Sequence, residues 1–143
     1  MTGVQTCALP IFDPDGWLHT GDLGVIGPDA NLRIVGRLKE MYIRGGYNVY
    51  PAEVETTLAM HPGISQAAVL GYPDDLLGER GAAFVVPTDP SSPPSLAELQ
   101  DWCRAHIADY KAPEHLVIVD TLPLNATNKV DKTALARALR EKD

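Results

Sequence analysis

The chain is poor in sulfur: Cys7 and Cys103 are its two cysteines in 143 residues. Two thiols cannot build a disulfide framework or a structural zinc site, so no metal centre is expected. Basic residues are also scarce. Twelve Lys and Arg stand against 19 Asp and Glu, a formal charge of −7. A surface this acidic argues against nonspecific nucleic-acid binding and against attraction to anionic lipid. No apolar run approaches the ~20 residues needed to span a bilayer. The first residues, MTGVQTCALPIF, lack a basic segment followed by an apolar stretch, so they do not read as a secretory signal. The expectation is a reduced, soluble, cytoplasmic domain.

Apolar residues make up 45% and charged residues 22%, enough for a packed core. Proline is abundant, at 12 residues, which predicts many turns and short elements. Residues 1–12 have no periodicity and no cap. They are similar to translated sequencing-adapter sequence and are expected to be an assembly artefact, the alternative being a native N-terminal strand. On the first reading Cys7 carries no function.

Beyond them, Asp13-Pro14-Asp15-Gly16 is turn chemistry and Trp17 to Thr20 is predicted as a short strand. Gly27 to Asn31 is a second turn between Leu23–Ile26 and Leu32–Val35, which predicts a hairpin broken at Gly36. Met41–Ile43 and Tyr47–Val49 flank Gly45-Gly46, predicting strand, bend and strand. Pro51 suits the first position of a helix, whose Val54, Leu58 and His61 share a face. Strands are predicted at Ile64–Tyr72, Ala82–Val86 and Leu116–Val119. Ser95 to Glu98 matches a capping box opening a second helix. Cys103 falls on its apolar face and reads as core. Asp131 can cap a third helix through Leu139. The predicted class is α+β: about three main strands plus an N-terminal hairpin, packed by about three helices.

Polar groups with positional meaning fall in three places. Asp22, past a strand end, has two acceptor oxygens and no donor, which suits a sugar diol; otherwise it caps its own turn. Gly45-Gly46 lets backbone pass close to a ligand, or is merely a hairpin turn. Lys129 stands in a polar loop, where an ammonium on a flexible stem suits developing phosphate charge; otherwise it is simply solvated.

The ordered set changes that balance. Thr20-Gly21-Asp22, Gly36-Arg37-x-Lys39-Glu40, Gly45-Gly46-Tyr47-Asn48-Val49-Tyr50-Pro51-x-Glu53-Val54-Glu55, and Leu122-Pro123 followed by Asn128-Lys129-Val130-Asp131 resemble the C-terminal end of the adenylate-forming acyl-CoA synthetases. That superfamily includes peptide-synthetase adenylation domains and luciferases. The resemblance runs from about Asp13 to Leu139. It implies a fragment: residues 13–36 as the last strands of a large N-terminal domain, and residues 37–143 as a small lid domain that rotates about Lys39. The reaction implied is attack of a carboxylate on ATP to give acyl-AMP, then displacement of AMP by CoA.

By the same resemblance, Asp22 and Arg37 would serve the nucleotide and Lys39 would be the hinge. Lys129 would act in adenylation, and Gly45, Gly46 and Pro51 would line the CoA channel. ATP with Mg2+ and CoA are implied for the intact enzyme, none held tightly by this chain alone. The family's Ser/Thr/Gly-rich phosphate loop is not found here, so the chain alone is expected to be inactive. Asn128 departs from the glycine common before the lysine, though Asn tolerates a left-handed backbone. Residues 39–51 are most similar to bacterial fatty-acid-type CoA ligases, including actinobacterial ones acting on lipid or steroid-derived acids. The acid itself stays open. Two alternatives are an adenylation domain of a peptide synthetase and a non-enzymatic binding module.

Overall fold

A computed structural model describes residues 12–141. The N-terminal stretch with Cys7 lies outside them, apart from Phe12. Seven strands and three helices follow in the order β1 (Asp22–Ile26), β2 (Leu32–Arg37), β3 (Tyr42–Arg44), β4 (Tyr47–Val49), α1 (Pro51–Ala59), β5 (Ile64–Asp74), β6 (Gly78–Pro87), α2 (Leu96–His106), β7 (His115–Ile118) and α3 (Lys132–Arg140). A 3-10 turn over Asp109–Lys111 links α2 to β7. The class is α+β, as the alternating patterns predict.

β1 and β2 form a separate antiparallel hairpin. It runs through Gly36 to Arg37, where a break is expected. Gly36 is buried and paired with Leu23, and a side chain there would press on Tyr50, with Cβ 3.1 Å and the ring's Cδ1 3.3 Å away. The strand expected at Trp17–Thr20 is reduced to one bridge between Leu18 and Phe12. Trp17 is 73% exposed, so nothing there rewards extending it.

The main sheet has five strands in the order β4-β3-β6-β5, with β7 beside β6. Three are the expected main strands; β3 and β4 add their short hairpin to the edge. β6 is central, antiparallel to β5 over its whole length and parallel to β7 from Ala82 to Val85. Ala82, Ala83, Phe84 and Val85 are all buried, because both faces of β6 are covered. Val69, Ala83 and Val85 face one core with Val54 and Leu58 of α1 and Leu99 and Cys103 of α2. Ala68, Leu70, Ala82 and Phe84 face the other with Leu135 and Leu139 of α3. Period-two alternation thus gives one sheet two helical layers.

Local chemistry sets the helix ends. Pro51 opens α1 without a side-chain cap. The predicted capping box opens α2, with the Ser95 hydroxyl accepting from Glu98 N–H. Asp131 caps α3 by accepting from the Thr133 and Ala134 amides. The Trp102 indole donates to the Thr57 carbonyl at 2.9 Å and fastens α2 to α1. Helix α1 stops at Ala59, so His61 falls beyond it; it is nonetheless buried, with Nδ1 accepting from Gly63 N–H. Cys103 is fully buried, and burial pushes its thiol up to about 11, the state of a core residue rather than a nucleophile. No helix among the described residues is long and apolar enough to cross a membrane.

Candidate functional site

Hairpin closure joins two of the candidate residues. Asp22 and Arg37 are register partners across β1 and β2, and Arg37 Nε lies 3.0 Å from Asp22 Oδ1. They border a cleft of about 300 Å3 with Ile34, Gly36, Glu40 and Ala52. Asp22 N–H donates to the Thr20 hydroxyl, and Leu38 N–H to the Gly21 carbonyl. A carboxylate with a guanidinium beside it presents an acceptor and a donor array on one rim, suited to a polyhydroxylated, anionic ligand.

Lys39 occupies the exposed turn at 38–40 between that hairpin and β3. Glu40 and Met41 N–H both donate to the Arg37 carbonyl, closing the turn.

Gly45 and Gly46 form a two-residue hairpin turn between β3 and β4, with φ of 55° and 87°. Both positions being left-handed accounts for two glycines without invoking a ligand. Gly45 N–H donates to the Leu77 carbonyl at 2.8 Å, docking the turn on the β5–β6 connection. A side chain at Gly46 would meet nothing within 4 Å among the described residues, so the turn faces outward. Pro51 is fully buried at the start of α1, so it orients the segment after the turn without offering surface.

Lys129 is exposed at the end of a tight loop. Leu124 and Val130 bridge its base, and Asn125 N–H donates to the Lys129 carbonyl at 2.7 Å. Asn128 adopts φ 60°, the left-handed state that the departure from glycine required. Among the described residues, the Lys129 ammonium has no carboxylate partner. Lys129 and the glycine turn thus sit on separate loops, both outside the core.

The sequence reading missed Asn125. Its Oδ1 accepts from Thr127 N–H (2.9 Å), the Thr127 hydroxyl (2.8 Å) and Lys129 N–H (3.0 Å). An Asn three residues before a left-handed position was the available signal. Asn125→Ala is expected to cost about 1 kcal/mol of stability, since the lost bonds are exposed. Hydrogen exchange at the Lys129 amide should accelerate about tenfold, while Asn125→Asp, which keeps the acceptor, should not change it. Unchanged exchange in the alanine variant would mean that the side chain does not hold the loop. Also missed was the pair Arg44–Glu114, with contacts at 2.6 and 3.0 Å, which pins the end of β3 to the start of β7.

Comparison with known proteins decides the family. Residues 53–129, more than half of the chain, match the AMP-binding enzyme C-terminal domain. This chain belongs to that family. A Mycobacterium tuberculosis (strain ATCC 25618 / H37Rv) 3-[(3aS,4S,7aS)-7a-methyl-1,5-dioxo-octahydro-1H-inden-4-yl]propanoyl:CoA ligase is 52% identical over 124 residues, 87% of this chain and 24% of the ligase. Feruloyl-CoA synthase from Amycolatopsis sp is 43% identical over 86% of this chain and 25% of the enzyme. Among solved structures, a Mycobacterium tuberculosis fatty acyl CoA synthetase superposes with a TM-score of 0.74 at 40% identity, covering 92% of this chain and 26% of that one. This AMP-binding C-terminal domain therefore spans about a quarter of the length of the relatives it matches.

Proposed function

We propose that this chain is the C-terminal part of an ATP-dependent, AMP-forming carboxylic acid–CoA ligase of fatty-acid type. In this reading residues 13–36 close a large adenylation domain, and residues 37–143 form the lid that rotates about Lys39. The observation that carries it is the exposed Lys129 ammonium, without a carboxylate partner among the described residues, on a side-chain-braced loop in a chain whose relatives bear the names of acyl-CoA ligases.

The roles follow from charge and space. Asp22 accepts from the ribose hydroxyls and Arg37 donates beside it. ATP enters as its magnesium complex, a substrate. The carboxylate attacks the α-phosphorus, the α–β bridge bond breaks, and pyrophosphate leaves. Lys129 meets the negative charge that builds on the phosphate oxygens, an interaction stronger in the transition state than before it. Rotation at Lys39 then withdraws Lys129 and brings the Gly45-Gly46 turn forward. With no side chains, that turn leaves room for the thiol arm of CoA. The thiol attacks the acyl carbon and AMP leaves. ATP and CoA are cytoplasmic pools, and we place the protein there. The 143-residue chain alone is proposed to be inactive.

The test uses a full-length ligase carrying this chain, given ATP, magnesium, a panel of carboxylic acids and CoA. Acid-dependent AMP and pyrophosphate release with an acyl-CoA product is expected. Thioester formation on a phosphopantetheinylated carrier protein but not on CoA would instead make it a peptide-synthetase adenylation domain. Acid-independent behaviour with neither acceptor would end the ligase reading.

A further inference from the structure

Lys132 has the wrong charge for its place. It is the first residue of α3, at the positive end of the helix dipole, where acidic residues are favoured. Its ammonium lies 2.7 Å from Glu40 Oε2 and 2.9 Å from Glu55 Oε1. All three side chains are partly sheltered, Lys132 at 25% exposure, Glu40 at 37% and Glu55 at 24%. Glu55 is itself fixed, because its Oε1 accepts from Val69 N–H of β5 at 2.8 Å. Glu40 belongs to the turn at 38–40 and is the residue next to Lys39. Lys132 therefore joins the turn before β3, helix α1 and the edge of β5 to the segment that carries Lys129, three residues upstream.

We propose that Lys132 is a positioning residue that locks the Lys129 loop to the turn containing Lys39. The inference rests on the reading of Lys129 as the adenylation cation and of Lys39 as the hinge. The physical case is one of charge and attachment. From Leu124 to Lys129 the loop is exposed and braced by its own bonds, and only its end, at Val130, packs against the core. Asp131 attaches it to α3, but a cap fixes only the local direction of the chain. Lys132 supplies the long-range tie. Two carboxylates that share one ammonium repel each other once it is removed, and the more exposed Glu40 is the one free to leave. Without Lys132, rotation at Lys39 would no longer carry Lys129 along a defined arc. Because Glu40 lies on the lid side of Lys39, the tie survives rotation and sets the distance from hinge to cation in either state.

The experiment measures both half-reactions in a full-length ligase carrying this chain. Acid-dependent ATP–pyrophosphate exchange reads adenylation, and acyl-CoA formation from supplied acyl-AMP reads the thiol step. Lys132→Met is expected to lower kcat of adenylation about tenfold or more, as small misplacements of a reacting group do. KM for ATP and the thiol step should stay within about twofold, and the intact thiol step reports a folded lid. Lys132→Arg should restore most of the rate, because a guanidinium also spans two carboxylates. Glu40→Gln should lose adenylation in the same way, and its combination with Lys132→Met should add little. Normal exchange in Lys132→Met alongside a crippled Lys129→Ala would overturn this inference alone. A raised KM for ATP would make Lys132 a phosphate contact, and equal loss of both half-reactions would make it a folding residue; either refutes the positioning role. Normal exchange in Lys129→Ala would remove the underlying reading, and this one with it.

Discussion

Lys129→Ala in a full-length ligase carrying this chain is expected to reduce acyl-AMP formation by about 100- to 1,000-fold, the range seen when one charge-stabilising donor is removed from a reacting centre. Thioester formation from supplied acyl-AMP should stay within about twofold, since in the proposed reading that step uses the Gly45-Gly46 turn instead. The reasoning begins with what Lys129 lacks. Lys111 is committed to Glu53, and Lys132 to Glu40 and Glu55. Lys129 is exposed and carries no such pair among the described residues. Its ammonium can therefore meet phosphate charge without breaking an ion pair first. The backbone beneath it is nonetheless ordered by the Asn125 carboxamide and by the left-handed turn at Asn128. A mobile charge on a firm base suits a contact made in one step and withdrawn in the next. Thermal unfolding should be unchanged, because truncating a solvated side chain removes no packing. A loss shared equally by both half-reactions would contradict the assignment.

Gly71→Ala is expected to be the most damaging small substitution, costing about 3 kcal/mol or more. Gly71 and Gly81 are register partners on β5 and β6. The Tyr42 side chain, 2% exposed, lies across both. A methyl at Gly71 would land on Tyr42 Cβ and on Cγ, at 2.7 Å from the latter, near the backbone where the ring cannot swing away. At Gly81 it would meet the Tyr42 hydroxyl, with Cζ at 3.1 Å. Among the described residues, that buried hydroxyl has no hydrogen-bond partner. Gly81→Ala should therefore be milder, and Tyr42→Phe should relieve it by vacating the occupied space. Gly71→Ala should gain nothing from the same change. Denaturant unfolding of the 143-residue chain measures all four variants; a neutral Gly71→Ala would show that Tyr42 does not pack as described. The consequence extends to the site, because Tyr42 begins the strand that ends at the glycine turn. The two glycines admit a ring that anchors β3 over the sheet.

Much of this architecture was legible before folding. The capping box at Ser95, the Asp131 cap, the Pro51 helix start and the double-glycine hairpin all act within four residues. Local hydrogen-bonding and allowed torsions decide them, so their sequence signals are complete. The two-layered core follows from Val69 alternating with Ala68 and Leu70, which needs only the period of a strand. Trp17–Thr20 and Gly36 were misjudged for one reason. Whether a strand continues depends on a pairing partner elsewhere in the chain, and no local pattern contains it.

The residues alone determined most of the elements, their caps and the family motif ending in Lys129, because each is written in contacts between near neighbours or in residue types at fixed spacing. Only the tertiary structure decided that Asp22 faces Arg37, that Tyr42 rests on two glycines, and that Lys132 reaches back 92 positions to Glu40. Those pairings depend on how strands register and where a helix docks. Such choices are made by burial summed over the whole domain, and no single segment carries that sum.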